Sequence, residues 1–248
     1  MNRRGMMRGM GALALCPLCA TRAFSEEQHH WTYEGRTGPP NWGRVGNKVC
    51  GLGTQQSPVD IASTIRADLP KLELAWANSA DTIVNNGHTI QLNFNDGGTL
   101  KVGDDTYKLV QFHFHHPSEH LIDGKAAAME VHFVHSIGNG NGVIGALMKA
   151  GASNPVFKTI AATMPQHEGP PVKADPSIDP NGLLPAGRNY FRYAGSLTTP
   201  PCAETVAWFV LTDPLEVGES DIALFAKLYA DNARPVQKLN RRFLLRMQ

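Results

Sequence analysis

The chain has 248 residues, of which 42% are hydrophobic and 18% charged, with 23 basic and 22 acidic side chains. It has no charge run and no basic patch of the kind nucleic acid requires, and no apolar stretch long enough to span a membrane. Gly (24) and Pro (17) are plentiful, which favours short strands and turns over long helices, and the absence of a linker-like break predicts one domain.

Residues 1–23 read as a secretory signal peptide. Arg3, Arg4 and Arg8 form a basic start, Gly9 to Ala20 a short apolar run, and Thr21-Arg22-Ala23 a small-residue exit. The Arg3-Arg4 pair leaves twin-arginine export open. Cleavage would leave a weakly acidic body over residues 24–248, exported and either periplasmic or extracellular. Two cysteines, Cys50 and Cys202, would remain. In an exported chain they suggest one disulfide, with free thiols or metal ligation as alternatives. A bridge closing a loop of that length would stabilise by up to about 5 kcal/mol.

His30-Trp31-Thr32-Tyr33 and Gly38 to Trp42 set aromatics among Gly and Pro, as in an irregular segment packed on a core. Asn85-Asn86-Gly87-His88 predicts a turn between two strands, and His88 is either a functional imidazole or a solvated one.

The chemistry concentrates between Gln111 and His135. Gln111-Phe112-His113-Phe114-His115 and Glu130-Val131-His132-Phe133-Val134 both alternate polar and apolar residues, the period of a strand. With Asp123-Gly124 as a turn between them, they predict an antiparallel pair. Its polar face would carry His113, His115 and His132 beside Gln111 and Glu130. Three imidazoles on a rigid sheet can hold a zinc ion (Zn2+) and leave its fourth position open, the catalytic arrangement. Gln111 and Glu130 are placed to engage the outer nitrogens of such ligands. Ordinary strand histidines would explain any one of these residues, but explain the whole set poorly. His113-x-His115-x-x-x-Glu119 also matches the core of cupins, which bind iron or manganese.

Beyond the histidines, Val143 to Met148 predicts a strand. A helix starts at Pro155, capped by Ser153 or Asn154, with Val156, Ile160 and Met164 on one side. Residues 165–187 read as a long loop, and a second helix runs from about Ser220 to Ala230.

Ser196-Leu197-Thr198-Thr199-Pro200-Pro201-Cys202, followed by Glu204-x-Val206-x-Trp208, decides against the cupin. Together with Gln56 to Ile61, Asn85 to His88, Gln111 to His115, Ser118-Glu119-His120 and Glu130 to His135, it closely resembles the alpha-class carbonic anhydrases, in particular exported bacterial ones. The resemblance runs from His30 to about Arg241.

It implies a mainly β fold, one domain around a large twisted, mostly antiparallel sheet with a few short surface helices. It implies a zinc lyase that interconverts carbon dioxide and bicarbonate by attack of zinc-bound hydroxide, with weak ester hydrolysis as a side activity. His113, His115 and His132 match the zinc ligands, and Gln111 and Glu130 their hydrogen-bond partners. Thr198 and Glu119 match the pair that orients the hydroxide. Val134, Val143, Leu197, Val206 and Trp208 match the apolar wall for carbon dioxide, and Thr199 lies beside the bicarbonate position. His88 matches the proton shuttle, and Tyr33, Asn86 and Gln91 match residues that order its water. Gln91 replaces an asparagine of the animal members. His116 replaces an aromatic residue and is not a ligand. Cys50 and Cys202 match the disulfide of the exported members. A relative that only binds a partner would typically lack a zinc histidine, and all three are present here. The sequence leaves monomer or homodimer open.

Overall fold

The computed structural model describes residues 30–248. The leader expected over 1–23 lies outside them. Seven strands carry the site: β1 (Thr82–Asn85), β2 (Ile90–Asn93), β3 (Asp105–His115), β4 (Met129–Ile137), β5 (Gly140–Ala150), β6 (Tyr190–Gly195) and β7 (Val206–Leu211). They lie side by side in the order β1-β2-β3-β4-β5-β7-β6 within a 13-stranded sheet. Neighbours are antiparallel except β5 and β7, which run parallel. Val172–Lys173 pairs with β1 at one edge, and Leu245–Met247 and then Ile65–Ala67 extend the sheet beyond β6. Three short helices, α1 (Lys48–Leu52), α2 (Pro155–Thr163) and α3 (Glu219–Leu228), complete the frame. Among the described residues no helix is long and apolar enough to cross a membrane.

The period-two pattern sorts β3 and β4 into two faces. Phe112, Phe114 and Phe133 are fully buried on one, in a core shared with Ile90, Leu92, Ile144, Phe157 and Phe225. Burial of each such ring stabilises by about 1.5–3 kcal/mol. The histidines occupy the other face. Beside them a second apolar cluster holds Val143, Val206 and Trp208, with Val134 and Leu197 at its margin. The sheet is therefore apolar behind the site and divided in front of it.

Local signals act as expected at several joints. Gly87 takes a φ of +84° between β1 and β2, a conformation open mainly to glycine. Asn154 caps α2, its Oδ1 accepting from the N–H groups of Val156 and Phe157 at 3.0 Å each. Asp123 and Gly124 both have positive φ and close their own small hairpin, Leu121–Ile122 with Lys125–Ala126, inside the β3–β4 connection. Two boundaries differ. α3 ends at Leu228, because Tyr229 leaves the helix to donate its hydroxyl to Asn85 Oδ1. The 165–187 segment contains the short strand Val172–Lys173 and a 3-10 turn, Pro180–Leu183, capped by Asp179.

Candidate metal centre

The register of β3 against β4 sets His113 directly opposite His132 and His115 opposite Glu130. One nitrogen from each of His113, His115 and His132 comes within 4.8 Å of the others. The nitrogens left for a metal follow from the bonds of the outer ones. His113 Nδ1 lies 2.8 Å from Gln111 Oε1, and His115 Nδ1 lies 2.8 Å from the carbonyl oxygen of Asn232. Each ring thus turns its Nε2 inward. His132 is reversed: its Nε2 stands 2.9 Å from Glu130 Oε1, a close contact not aligned as a hydrogen bond, and Nδ1 faces in. His115 Nε2 is buried and without a partner among the described residues. Such an orphan costs free energy unless something occupies it.

Electrostatics keep two of the rings available as ligands. Burial, then repulsion from the other imidazoles, holds His113 well below the usual histidine range. Burial also lowers His115, against an opposing pull from Glu119. Both are neutral at pH 7, as metal ligands must be. Burial pulls His132 down too, but the charge of Glu130 and then their contact outweigh it and leave its pKa raised. Glu130 is fully buried, yet the charges of His120 and His132 hold its pKa well below the carboxylate range.

Glu130 is the hub of this arrangement. Its Oε2 accepts from the backbone N–H groups of Glu119 (3.0 Å) and His120 (2.9 Å), and its Oε1 lies 2.7 Å from His120 Nδ1. His120 Nε2 in turn meets the hydroxyl of Tyr193 at 2.6 Å, and Tyr193 donates to Ser57 Oγ at 3.0 Å. His120, Glu130 and His132 also sit close enough to hold an ion. Both nitrogens of His120 are already engaged, however, so this group orients His132 instead. Gly145, opposite His132 on β5, leaves the room that the Glu130 carboxylate fills: a Cβ there would lie 2.8 Å from Oε1.

Glu119 is buried, and its Oε1 accepts from Arg234 N at 2.8 Å. Its Oε2 lies 3.5 Å from His115 Nε2 and 3.8 Å from His132 Nδ1. That oxygen has no hydrogen-bond partner among the described residues, so a bond to Thr198 is not formed in this arrangement. Thr198 is itself buried, in a loop fixed by Leu197 N to Ala203 O (3.1 Å) and Cys202 N to Thr199 O (2.9 Å).

At the rim, the ring of His88 lies flat on Trp31, centroids 3.7 Å apart and planes 9° apart. Asn86 Oδ1 accepts from His88 N (3.0 Å), and Asn86 Nδ2 reaches Gln91 Oε1 at 3.4 Å. Burial lowers the pKa of His88, with Glu168 opposing and His30 adding to the fall. Tyr33 packs edge-on against Trp31 and Trp42, and burial, then the charge of Glu119, raises its pKa well above normal. Cys50 and Cys202 form a disulfide beside Trp42. His116 turns away to the carbonyl of Ala230.

The chain matches the eukaryotic-type carbonic anhydrase family over residues 37–248. The chain belongs to the alpha carbonic anhydrase family. It is 39% identical over 236 residues to a carbonic anhydrase of a Nostoc species, covering 92% of this chain and 89% of that one. A carbonic anhydrase of Neisseria gonorrhoeae is 40% identical over 247 residues, with 96% and 98% covered. The alpha-carbonic anhydrase of Thermovibrio ammonificans, solved with sulfanilamide, superposes with a TM-score of 0.85 at 40% identity and covers 88% of this chain and 99% of its own. Hydration of carbon dioxide is the general reaction of these enzymes.

Two residues of this carbonic anhydrase site escape a reading of its sequence. Asn232 gives its carbonyl to His115 and donates Nδ2 to the carbonyls of His88 and Phe114, both at 3.0 Å. Arg234 fixes Glu119 through its backbone N–H and sends its guanidinium to the carbonyls of Ser57 (2.7 Å) and Cys50 (3.1 Å). Much of this work goes through the main chain, where side-chain type carries no signal.

Proposed function

We propose that the chain interconverts carbon dioxide and bicarbonate with a zinc ion held by His113, His115 and His132. The observation that carries this reading is the orientation of the three rings: each outer nitrogen faces a fixed partner, and each inner one faces the others. A zinc ion held by these three rings would act as a Lewis acid and would lower the pKa of a bound water to about 7.

The chain's own groups then aim the reaction. With the metal bound, Thr198 would accept a hydrogen bond from the attacking oxygen and turn its own hydroxyl to donate to Glu119 Oε2, the oxygen that has no partner among the described residues. An ionised carboxylate only accepts, so Thr198 must donate to it and can offer the attacking oxygen only a lone pair. That leaves a lone pair of the attacking oxygen directed at the substrate. Val134, Val143, Leu197, Val206 and Trp208 supply an apolar wall that suits an uncharged, nonpolar substrate and keeps water out. Thr199 adjoins the anionic product. His88 takes the proton released in hydration to solvent across water ordered by Tyr33, Asn86 and Gln91, work suited to an imidazole. The same nucleophile supports weak ester hydrolysis. The disulfide supports export to an oxidising compartment, and residues 1–23 are the proposed signal.

Stopped-flow carbon dioxide hydration, with zinc analysis of the same sample, tests the reading. One zinc per chain and loss of activity on chelation are expected. His132→Ala should lose zinc; full activity with stoichiometric zinc in that variant would overturn the ligand assignment.

A further inference from the structure

The turn that carries His88 is held by a segment outside the site. Gly169 N donates to Asn85 O at 3.1 Å, and Asn85 Nδ2 donates to Pro165 O at 3.1 Å. Asn85 Oδ1 accepts from Gly87 N (3.2 Å) and from the hydroxyl of Tyr229. The carboxylate between these anchors lies against the turn: a Cβ at Gly87 would be 2.9 Å from Glu168 Cδ and Oε2. Glu168 makes no ion pair among the described residues. The ionisable groups whose charge acts on His88 are Glu168 and His30, while Trp31 covers one face of its ring.

We infer that Glu168 is a positioning residue for proton transfer: its segment holds the Asn85–Gly87 turn in place, and its carboxylate favours the imidazolium that His88 becomes when it takes up a proton. This rests on the reading of His88 as the proton carrier. Burial and the neighbouring His30 both disfavour a positive charge on His88, and Glu168 is the counterweight, as the direction of its effect on His88 agrees. The chemistry is one proton moving onto the ring nitrogen in hydration and off it in the reverse direction. A stabilised imidazolium is a better acceptor and a poorer donor. Because Glu168 is exposed, its effect is carried through solvent and weakens with salt.

The test uses the zinc-loaded enzyme and the substitution Glu168→Gln. Titration of His88 by NMR should show a lower pKa than in the parent. In poorly buffering solution, kcat should fall for hydration and rise for dehydration, each by about two- to threefold, with kcat/KM unchanged. Glu168→Asp should restore most of the difference, and high salt should shrink it. A purely structural role would lower both directions together, and that result would overturn the inference. So would an unchanged His88 titration. His88→Ala separates the two readings. It should lower kcat about tenfold or more, leave kcat/KM intact and be rescued by imidazole buffer. An unaffected His88→Ala refutes the carrier itself, whereas a damaged His88→Ala beside a silent Glu168→Gln refutes only the role of Glu168.

Discussion

Gly145 offers the sharpest test of how the site is held, because the atoms nearest an added Cβ belong to Glu130, Trp208 and Val210 and not to a proposed metal ligand. In Gly145→Ala the new methyl meets Glu130 Oε1 at 2.8 Å, against the 3.4 Å at which ordinary contact begins. Its next neighbours, Trp208 Cζ3 and Val210 Cγ2, are at a comfortable 3.7 Å, so the conflict falls on the carboxylate alone. That carboxylate cannot swing aside freely, since two backbone N–H groups and His120 hold it. Oε1 must move by several tenths of an ångström, lengthening its contacts to His120 Nδ1 and His132 Nε2. A hydrogen bond to a charged group contributes about 1.5–3 kcal/mol, and partial loss here costs about 1–2 kcal/mol. Passed to His132, this lowers zinc affinity by about 10- to 100-fold, the range for disturbed partners of a ligating histidine. Competition against a chelator of known affinity measures it, with the thermal midpoint of the metal-free protein as control. Unchanged zinc affinity would refute the mechanical link from Gly145 through Glu130 to His132, even if the metal-free protein were destabilised.

The Cys50–Cys202 bridge joins positions 152 residues apart, so reducing it, or changing both cysteines to serine, should cost up to about 5 kcal/mol in a urea titration. Equal midpoints for oxidised and reduced protein would contradict this. His135 is buried and neutral, its Nε2 accepting from Trp76 Nε1 at 3.0 Å and its Nδ1 facing Gly142 O at 3.2 Å, and burial lowers its pKa to about 4. The unfolded chain therefore binds a proton here first: stability is full above about pH 6.5 and falls by about 3 kcal/mol as pH drops to about 4. His135→Gln, which keeps an acceptor for Trp76, should flatten that part of the profile; an identical slope would exclude His135 as its source.

How much could be read from the sequence depends on where the information lies. The histidine strands were legible because period-two alternation ties residue type to face, and a slip of one register position would turn Gln111, His113 and His132 into the apolar core in place of Phe112, Phe114 and Phe133. The Asn-Gly turn before His88 and the Asn154 cap were legible for similar local reasons. The stacking of His88 on Trp31 and the seating of the 165–169 segment against β1 were not. Both depend on chain segments far apart in sequence that carry no periodic signal. Asn232 and Arg234 stayed hidden because the bonds by which they fix His115 and Glu119 come from a main-chain carbonyl and a main-chain N–H, which side-chain type does not mark. α3 stops two residues short of Ala230, before Tyr229, which looks apolar in the helical pattern but sends its hydroxyl to Asn85.

The late position of Asn232 and Arg234 bears on how the protein is made. The three imidazoles are all present once β4 has been synthesised, yet His115 has no carbonyl to fix it and Glu119 has no donor until the chain is nearly complete. A nascent or truncated chain ending before Asn232 thus displays three histidines on a half-built sheet with one ring free to rotate. On the proposed reading, its affinity for zinc would be correspondingly weak. If the three imidazoles hold zinc as proposed, metal capture would be deferred to the finished polypeptide.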